Sequence, residues 1–309
     1  MRIGLMGNCA YSVAASGPFD VEELIGDVRW AQEDGLASYW LGQQMDWDAI
    51  ALAVAIGREV PEIELGTAVS VIWTTFPVHM AQSAASAQML TGGRFTLGLG
   101  VEHDWVVREM WGLPFDRPRA VMEEYVQIVG SLLRTGTVDF TGEHYKVKTG
   151  FIRFAPQPTT QIILGALGKR MLTVAGTYAD GTTTWLTGVK TIRDHIVPTI
   201  RGAAAQARRA DPRVIALLPI LVTADAQAAR QRISAEMDLY HHMPSYRAML
   251  DLEGVSTAGD IALVGSRAEV EDAIGELAAA GATDLGAIVI GDHDEVARTR
   301  ELLAHLAAG

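Results

Sequence analysis

The stretch that decides the fold is ELGTAVSVIWTTFPVHMAQSAASAQMLTGGRFTLGLG, residues 64–100. It begins with an apolar, β-branched run at 64–71 that predicts a strand. Pro77 then stands at the first position of a helical pattern, a position that proline favours. Turn residues at 91–94 lead into a second apolar run at 95–100. Two buried strands joined by a helix predict one strand–helix–strand unit with parallel strands.

The same stretch carries no charged side chain from residue 65 to residue 93, which is long enough to span a bilayer. It is too polar to do so, because Thr74, Pro77, His79 and Gln82 interrupt it. At the amino terminus, glycines also interrupt the apolar run, so we interpret residues 2–6 as a first buried strand rather than as a secretory signal. We therefore expect a soluble, cytoplasmic protein.

Outward from residues 64–100, short apolar runs alternate with helical patterns along the whole chain. We predict eight strands, at residues 2–6, 38–41, 64–71, 95–100, 161–165, 181–186, 215–223 and 284–290. A helical pattern follows each strand, and no change of composition marks a linker. These features predict an α/β fold, a single (β/α)8 TIM barrel over residues 1–309, with insertions after strands 4 and 7. A doubly wound open sheet is the alternative, but residues 7–11, GNCAY, do not form its Gly-rich nucleotide turn.

The composition argues against several classes of protein. The chain has 25 Lys+Arg against 37 Asp+Glu, a net charge of -12, which argues against nucleic acid or an anionic membrane as the main partner. Cys9 is the single cysteine, so no intramolecular disulfide can form. His241 and His242 have no third ligand at a suitable spacing, and we expect no metal site. With 49% hydrophobic residues, the chain is typical of a globular enzyme.

If the fold is a barrel, its chemistry belongs to the loops after the strands. After the fourth strand, Glu102 and His103 could supply a proton donor or acceptor, because imidazole titrates near neutral pH. The alternative is an acidic helix cap beside a solvated histidine. After the second strand, Gln44 offers an amide that can hydrogen-bond a heteroaromatic ring, and Trp47 an indole that can flank it. An ordinary polar loop with one aromatic anchor is the alternative there.

The segment ILGALGKR, residues 163–170, is the most informative strand end. An apolar strand runs into a small-residue turn that opens a helix, so free backbone N–H groups and the helix dipole converge there. Such a turn can bind a phosphate, with Lys169 and Arg170 adding positive charge. A plain strand–helix turn is the alternative. The small and apolar residues at 68–73 suit either the face of a planar ligand or a barrel core.

Several segments together resemble the bacterial luciferase-like monooxygenase superfamily, and within it the coenzyme F420-dependent oxidoreductases of actinobacteria. They are LGTAV at 65–69, LTGGRFTLGLG at 90–100, EMWG at 109–112, DRP at 116–118, GEHY at 142–145, GALG at 165–168, ADG at 179–181, MPSY at 243–246 and LVG at 263–265. The resemblance covers nearly the whole chain. It implies an enzyme with a single barrel that holds a flavin or deazaflavin in its mouth.

The resemblance also implies roles for individual residues. A bulge with a non-prolyl cis peptide, at an unassigned bond near the end of strand three, would back the middle ring of the cofactor. The implied cofactor-binding residues are Ala68, Val69, Ser70, Gly100, Gly165, Ala166, Leu167, Gly168, Thr184 and Trp185. The implied catalytic residues are His103, Glu102, Gln44 and Trp47. Some deazaflavin relatives have an Asp-His pair where this chain has two glutamines, so we assign proton transfer to His103 first and Glu102 second.

These observations lead to three functional hypotheses. The first is an F420-dependent oxidoreductase that transfers a hydride between the deazaflavin C5 and a hydrophobic organic substrate, while the protein supplies positioning and one proton donor. The second is an FMN-dependent monooxygenase, and the third is a catalytically silent flavin-binding barrel. The expected substrate walls are residues 8–12, Trp73, Trp105 and residues 240–246. The resemblance further implies a homodimer through the second and third helices.

Overall fold

The computed structural model describes residues 1–7, 20–43, 45, 47–150 and 158–309. Eight parallel strands form a closed ring, since the last strand pairs with both the first and the seventh. We number these barrel strands β1 to β8: Arg2–Met6, Ser38–Leu41, Glu64–Thr67, Phe95–Gly100, Gln161–Gly165, Gly181–Trp185, Arg213–Val222 and Asp284–Val289. The predicted TIM barrel is confirmed.

Helices cover the outside of the barrel. We number the longer ones α1 to α10: Val21–Glu33, Ala49–Glu59, Pro77–Leu90, Pro118–Thr135, Lys169–Tyr178, Val197–Gln206, Ala226–Glu236, Pro244–Glu253, Arg267–Ala279 and His293–Ala308. Short helices occupy Val189–Thr191, Asp238–His241 and Ala258–Ile261. Two π-helical turns, Val106–Met110 and Ile192–Ile196, follow β4 and β6. Turns of this kind are frequent near functional sites.

Local chemistry explains where several helices begin. Asp48 caps α2, because its carboxylate accepts the N–H of Ala51, and Pro77 occupies the first turn of α3 as predicted. Ser266 and Glu269 form a capping box at the start of α9. Each cap of this kind contributes about 1 kcal/mol. Capping therefore sets where each helix starts relative to the strand before it.

Two stretches of chain lie outside the regular strand–helix alternation. Between β4 and β5, the strands Val138–Thr141 and Lys146–Thr149 form an antiparallel hairpin. Glu124 on α4 holds the turn of this hairpin, because its carboxylate accepts the N–H groups of Glu143, His144 and Tyr145. Between β7 and β8, the short strand Leu263–Gly265 pairs with the end of β7.

The bore of the barrel is filled from the inside and closed at its amino-terminal end. Its packed side chains, the bore cluster, are Met6, Trp40, Ile163, Ile215, Leu217 and Ile288. The Trp40 ring fits because residue 66 is glycine: a Cβ there would lie 2.2 Å from the ring. Next to Trp40, Arg213 bonds to Glu64 at 2.8 Å and to Asp284 at 2.6 Å, while Arg2 also bonds to both acids. We call these four charged residues the basal ion cluster.

The structure changes two expectations about secondary structure. The predicted strand at 64–71 is two strands, Glu64–Thr67 and Ser70–Val71, and the second pairs with β4. The strand at Leu263–Gly265 was not predicted. Among the described residues, no helix is both long enough and apolar enough to cross a membrane.

Candidate functional site

The carboxyl ends of β3 to β6 bring most of the predicted site residues to one rim of the barrel. Parallel pairing places them there: Ser70 pairs with Leu99, Leu99 with Leu164, and Gly165 with Thr183. The rim carries residues 68–70, 100–103, 165–168 and 184–185. In barrels of this type the same rim carries the active site.

The end of β3 has the expected bulge. The peptide bond between Ala68 and Val69 is cis, although neither residue is proline, which identifies the bond that the sequence left open. The Val69 side chain occupies space beside two glycines. A Cβ on Gly100 would lie 2.2 Å from Val69 Cγ2, and one on Gly165 would lie 3.3 Å from Val69 Cγ1. We call Ala68 and Val69 the platform.

Glu102 and His103 form a compact pair after β4. Glu102 has a φ of 58°, in the left-handed region that non-glycine residues seldom adopt. Its carboxylate accepts the N–H of His103 at 3.1 Å and lies 3.9 Å from His103 Nε2. Burial lowers the pKa of His103 below its usual value, and the Glu102 charge opposes this shift only in part. The imidazole is therefore uncharged at neutral pH and able to accept a proton.

His103 is one end of a chain of four aromatic rings, which we call the aromatic band. Its ring meets Tyr246 with the centroids 5.5 Å apart, Tyr246 meets Tyr240 at 5.3 Å, and Tyr240 meets Trp185 at 5.5 Å. Tilted and edge-on contacts of this kind are favourable for aromatic pairs. The two tyrosines come from the stretch between β7 and β8. The band thus brings part of the expected substrate wall against the histidine.

The turn after β5 leads directly into α5. Gly168 is the N-cap residue, and no side chain of the described residues caps this helix. The next strand–helix unit contacts this turn: His195 Nε2 lies 2.8 Å from the Leu167 oxygen, and Thr182 Oγ1 lies 2.9 Å from the Leu164 oxygen and 3.1 Å from the Ala166 oxygen. The turn therefore has a fixed backbone whose following N–H groups can face an anion.

The two threonines at the end of β6 face opposite sides of the strand. Trp185 packs against the bore cluster, and side chains alternate along a strand, so Thr183 lies on the bore face and Thr184 on the helix face. Both hydroxyls are buried without a hydrogen-bond partner in the described part of the structure. The contact implied for Thr184 stays a prediction. Thr183 is a candidate that sequence reasoning missed, although the alternation along the strand could have revealed it.

The loop after β2 is organised by an amide. The Gln43 side chain donates to the Trp47 carbonyl at 2.5 Å and accepts the Ala49 N–H at 3.1 Å. Trp47 is half-buried in this loop, and Gln44 lies outside the described residues. A cavity of about 270 Å³ adjoins the loop, and its walls include Gln43, Met45, Asp48, Ser70, His79 and Trp111.

The rim fits a planar cofactor that carries a phosphate. The Thr183 hydroxyl lies on the bore face and is buried and unpartnered among the described residues, and such a group costs about 1–3 kcal/mol until something satisfies it. Thr183 pairs with Gly165, where the 165–168 turn begins. No cluster of His, Cys, Asp and Glu that could hold a metal ion occurs among the described residues.

Comparisons with known proteins agree with this geometry. The model of the luciferase-like monooxygenase family matches residues 5–307. A putative coenzyme F420-dependent oxidoreductase of Mycobacterium tuberculosis is 27% identical over 232 residues, which cover 69% of this chain and 66% of that protein. The F420-dependent hydroxymycolic acid dehydrogenase of the same organism is 26% identical over 231 residues, covering 69% and 62%. The chain thus matches less than two thirds of the length of either relative.

A solved structure shows the same fold. The coenzyme F420 dependent tetrahydromethanopterin reductase of Methanopyrus kandleri matches with a TM-score of 0.78 at 20% identity, covering 98% of this chain and 96% of that one. Likeness at this identity establishes the barrel and nothing finer. The family match, in contrast, extends over almost the whole sequence. The chain therefore belongs to the luciferase-like monooxygenase family.

Proposed function

We propose that this protein is an F420-dependent oxidoreductase that transfers a hydride between the deazaflavin C5 and a hydrophobic organic substrate. The observation that carries the proposal is the placement of the platform, the 165–168 turn and His103 on one rim. The two M. tuberculosis relatives have F420 in their names, which favours F420 over FMN. When bound, F420 supplies a carrier for two electrons as a hydride.

The rim offers separate contacts to the two ends of such a cofactor. Ala68, Val69 and Ser70 would contact the ring system, and Gly100 leaves room for the Val69 side chain. The backbone N–H groups of the 165–168 turn would bind the phosphate, supported by the positive end of the α5 dipole. Holding both ends fixes the ring relative to His103, and such positioning is a large part of catalysis in hydride transfer.

His103 handles the proton of the reaction. When an alcohol-like substrate loses a hydride from carbon, its hydroxyl must lose a proton, and an uncharged imidazole can accept it. In the opposite direction the protonated ring returns that proton to the reduced substrate. Glu102 keeps the pKa of His103 from falling further, because its charge favours the imidazolium. Burial and Glu102 thus act in opposite senses on the pKa of His103, whose ring accepts the proton in substrate oxidation and returns it in substrate reduction.

The aromatic band favours a hydrophobic substrate. Tyr240 is buried, while Tyr246 and Trp185 are half-buried, so the band presents apolar ring surface next to His103. Apolar surface around a few polar groups is typical of pockets for organic molecules. It also excludes water from the reacting atoms, which strengthens the electrostatic interactions there.

The experiment that tests this proposal is an anaerobic titration of the purified protein with reduced F420 and, separately, with reduced FMN, followed by tryptophan fluorescence. Trp185 and Trp47 belong to the predicted site, so binding there should change the emission. We expect saturable binding of F420 and weaker binding of FMN. Tight binding of FMN alone would identify a monooxygenase of the FMN type instead. Binding of neither would leave a barrel without cofactor chemistry.

A further inference from the structure

His195 reaches from one strand–helix unit to the turn of its neighbour. It lies in the π-helical turn Ile192–Ile196 after β6, and its Nε2 is 2.8 Å from the carbonyl oxygen of Leu167 in the turn after β5. A carbonyl oxygen can only accept a hydrogen bond, so Nε2 must carry the hydrogen. The sequence pattern assigns no role to His195.

This hydrogen bond orients a backbone N–H group. The peptide bond that joins Leu167 to Gly168 is trans, and in a trans peptide the C=O and the following N–H point in opposite directions. Because the Leu167 carbonyl points to His195, the Gly168 N–H points away from it. The carbonyl one residue earlier, on Ala166, lies 3.1 Å from Thr182 Oγ1, whose shorter contact is to the Leu164 oxygen at 2.9 Å. The Gly168 N–H is thus aimed by a side chain from the β6 unit.

His195 is itself anchored. The helical segment that carries it starts at residue 189, where Glu253 accepts the N–H groups of Lys190 and Thr191 and the Thr191 hydroxyl. Ile192 and Ile196, which flank the histidine on the same π turn, are fully buried. A ring on a backbone held this firmly can impose a direction on the carbonyl that it contacts.

We propose that His195 is a positioning residue for the phosphate of the cofactor: it aims the Gly168 N–H at that anion and so raises the affinity for phosphorylated ligands selectively. The inference rests on the proposed function, because that function places a phosphate at this turn. The ligand class is a flavin or deazaflavin that carries a phosphate on its ribityl chain. His195 does not touch the reacting atoms.

The test compares ligands that differ only in the phosphate. Dissociation constants are measured for FMN and riboflavin, and for the deazaflavin riboside with and without its 5′-phosphate, with wild type, His195→Ala, His195→Met and His195→Gln. The affinity ratio within each pair isolates the contribution of the phosphate part of the ligand. Alanine and methionine lack the donor, and methionine keeps most of the volume in case the alanine variant does not fold. Glutamine retains an N–H donor.

We expect the ratio to fall about threefold to tenfold in the alanine and methionine variants, as for loss of one hydrogen bond, and to recover in the glutamine variant. His305→Ala, on an exposed face of α10, is the matched control and should leave the ratio unchanged. If the donor-free variants weaken both members of a pair equally, His195 is only structural and the inference is wrong. If wild type binds none of the four ligands, the proposed function fails and this inference fails with it.

Discussion

At the scale of single residues, the charge state of His103 decides the direction of the pH dependence. Its pKa lies below the usual histidine value because of burial. The uncharged form needed to accept a proton therefore prevails at neutral pH and is lost as the pH falls through the lowered pKa. We predict that kcat/KM for substrate oxidation is level near neutral pH and decreases on the acid side. A steady-state pH profile with the oxidised cofactor measures this.

Separate substitutions of His103 and Glu102 distinguish the roles of the two residues. His103→Ala should lower kcat by about 100-fold or more, as for loss of a general base, with little change in cofactor affinity. Glu102→Gln removes the charge that raises the pKa of His103, so the acid limb of the profile should move to lower pH. An alanine variant with wild-type turnover would remove His103 from the reaction. An acid limb that stays in place in the glutamine variant would show that another group titrates.

Gly168 offers a substitution that should affect binding but not folding. A Cβ there would meet no atom within 4 Å, and its φ of -75° is accessible to any residue. Gly168→Val should therefore fold normally, while its side chain prevents a phosphate from approaching the backbone. We predict that the dissociation constant for F420 rises by about tenfold or more, or about 1.4 kcal/mol. Equal affinity in wild type and variant would contradict a phosphate at this turn.

The control for this variant is Gly202→Val, since Gly202 lies in the middle of α6 and a Cβ there also meets no atom within 4 Å. Valine is no worse than glycine in a helix, so folding should be preserved. Cofactor affinity should remain that of wild type, because the substitution is not in the turn. Thermal unfolding of both variants checks that the comparison is between folded proteins.

At the scale of elements, Glu124 fastens the hairpin to α4. Burial alone would raise the pKa of its carboxyl, but three backbone N–H donors lower it below the ordinary value. The stability that these bonds contribute is present above the unfolded pKa and is lost as the pH falls through the lowered one. We predict that Glu124→Ala lowers the free energy of unfolding by about 1–3 kcal/mol near neutral pH, measured by urea denaturation.

The neighbouring Glu123→Ala is the matched control for Glu124. Glu123 forms an ion pair with Arg119 one helical turn away on the same face of α4, and such surface pairs contribute only about 0.3–0.5 kcal/mol. The difference between the two variants should also shrink in acid, where both carboxylates are protonated. Equal effects of the two substitutions would mean that the hairpin is held by other contacts.

The sequence predicted regular elements better than interrupted ones. The bounds of β1, β2, β4 and β5 agree with prediction, because clear apolar runs mark them. The bulge at Ala68 could not be derived from periodicity, since a cis bond leaves the apolar pattern of 64–71 intact. The strand at Leu263–Gly265 is three residues long, too short for a periodic signal. Its pairing with β7 is decided by tertiary contacts.

For the site, the sequence predicted which strand ends carry functional residues, but not the contacts between different strand–helix units. The rim residues at 68–70, 102–103 and 165–168 follow from the rule that barrel chemistry lies after the strands. The contact of His195 with Leu167 joins residues 28 positions apart, and no local sequence pattern predicts it. The same holds for Tyr246 against His103. Such pairings depend on which loops the closed barrel brings together.

At the scale of the whole molecule, the basal ion cluster links β1, β3, β7 and β8 at the amino-terminal end of the barrel. Burial alone would raise the pKa of Glu64, but the Arg213 charge and hydrogen bond, with Arg2 and Thr96, lower it below the ordinary value. The stability contributed by this carboxylate is therefore lost as the pH falls through that lowered value. We predict that Arg213→Ala destabilises the fold by up to about 3–5 kcal/mol, because it leaves Glu64 and the buried Asp284 with only the partly exposed Arg2 as their cation.

Urea denaturation measures this loss, and Arg108→Ala serves as control because Arg108 pairs with Asp104 and Asp116 on the exposed surface. The control should change stability far less, because exposed ion pairs are screened by solvent. Cofactor affinity of the folded Arg213→Ala variant should stay at the wild-type level, since the cluster lies at the opposite end of the bore from the rim. A loss of cofactor binding without a loss of stability would contradict the structural role.

The closed amino-terminal end of the barrel has a consequence for turnover. Among the described residues, Trp40 and the basal ion cluster block the amino-terminal end of the bore, so we expect molecules to enter it from the rim. Cofactor and substrate then use the same opening, so we expect the bound cofactor to limit the space through which the substrate exchanges.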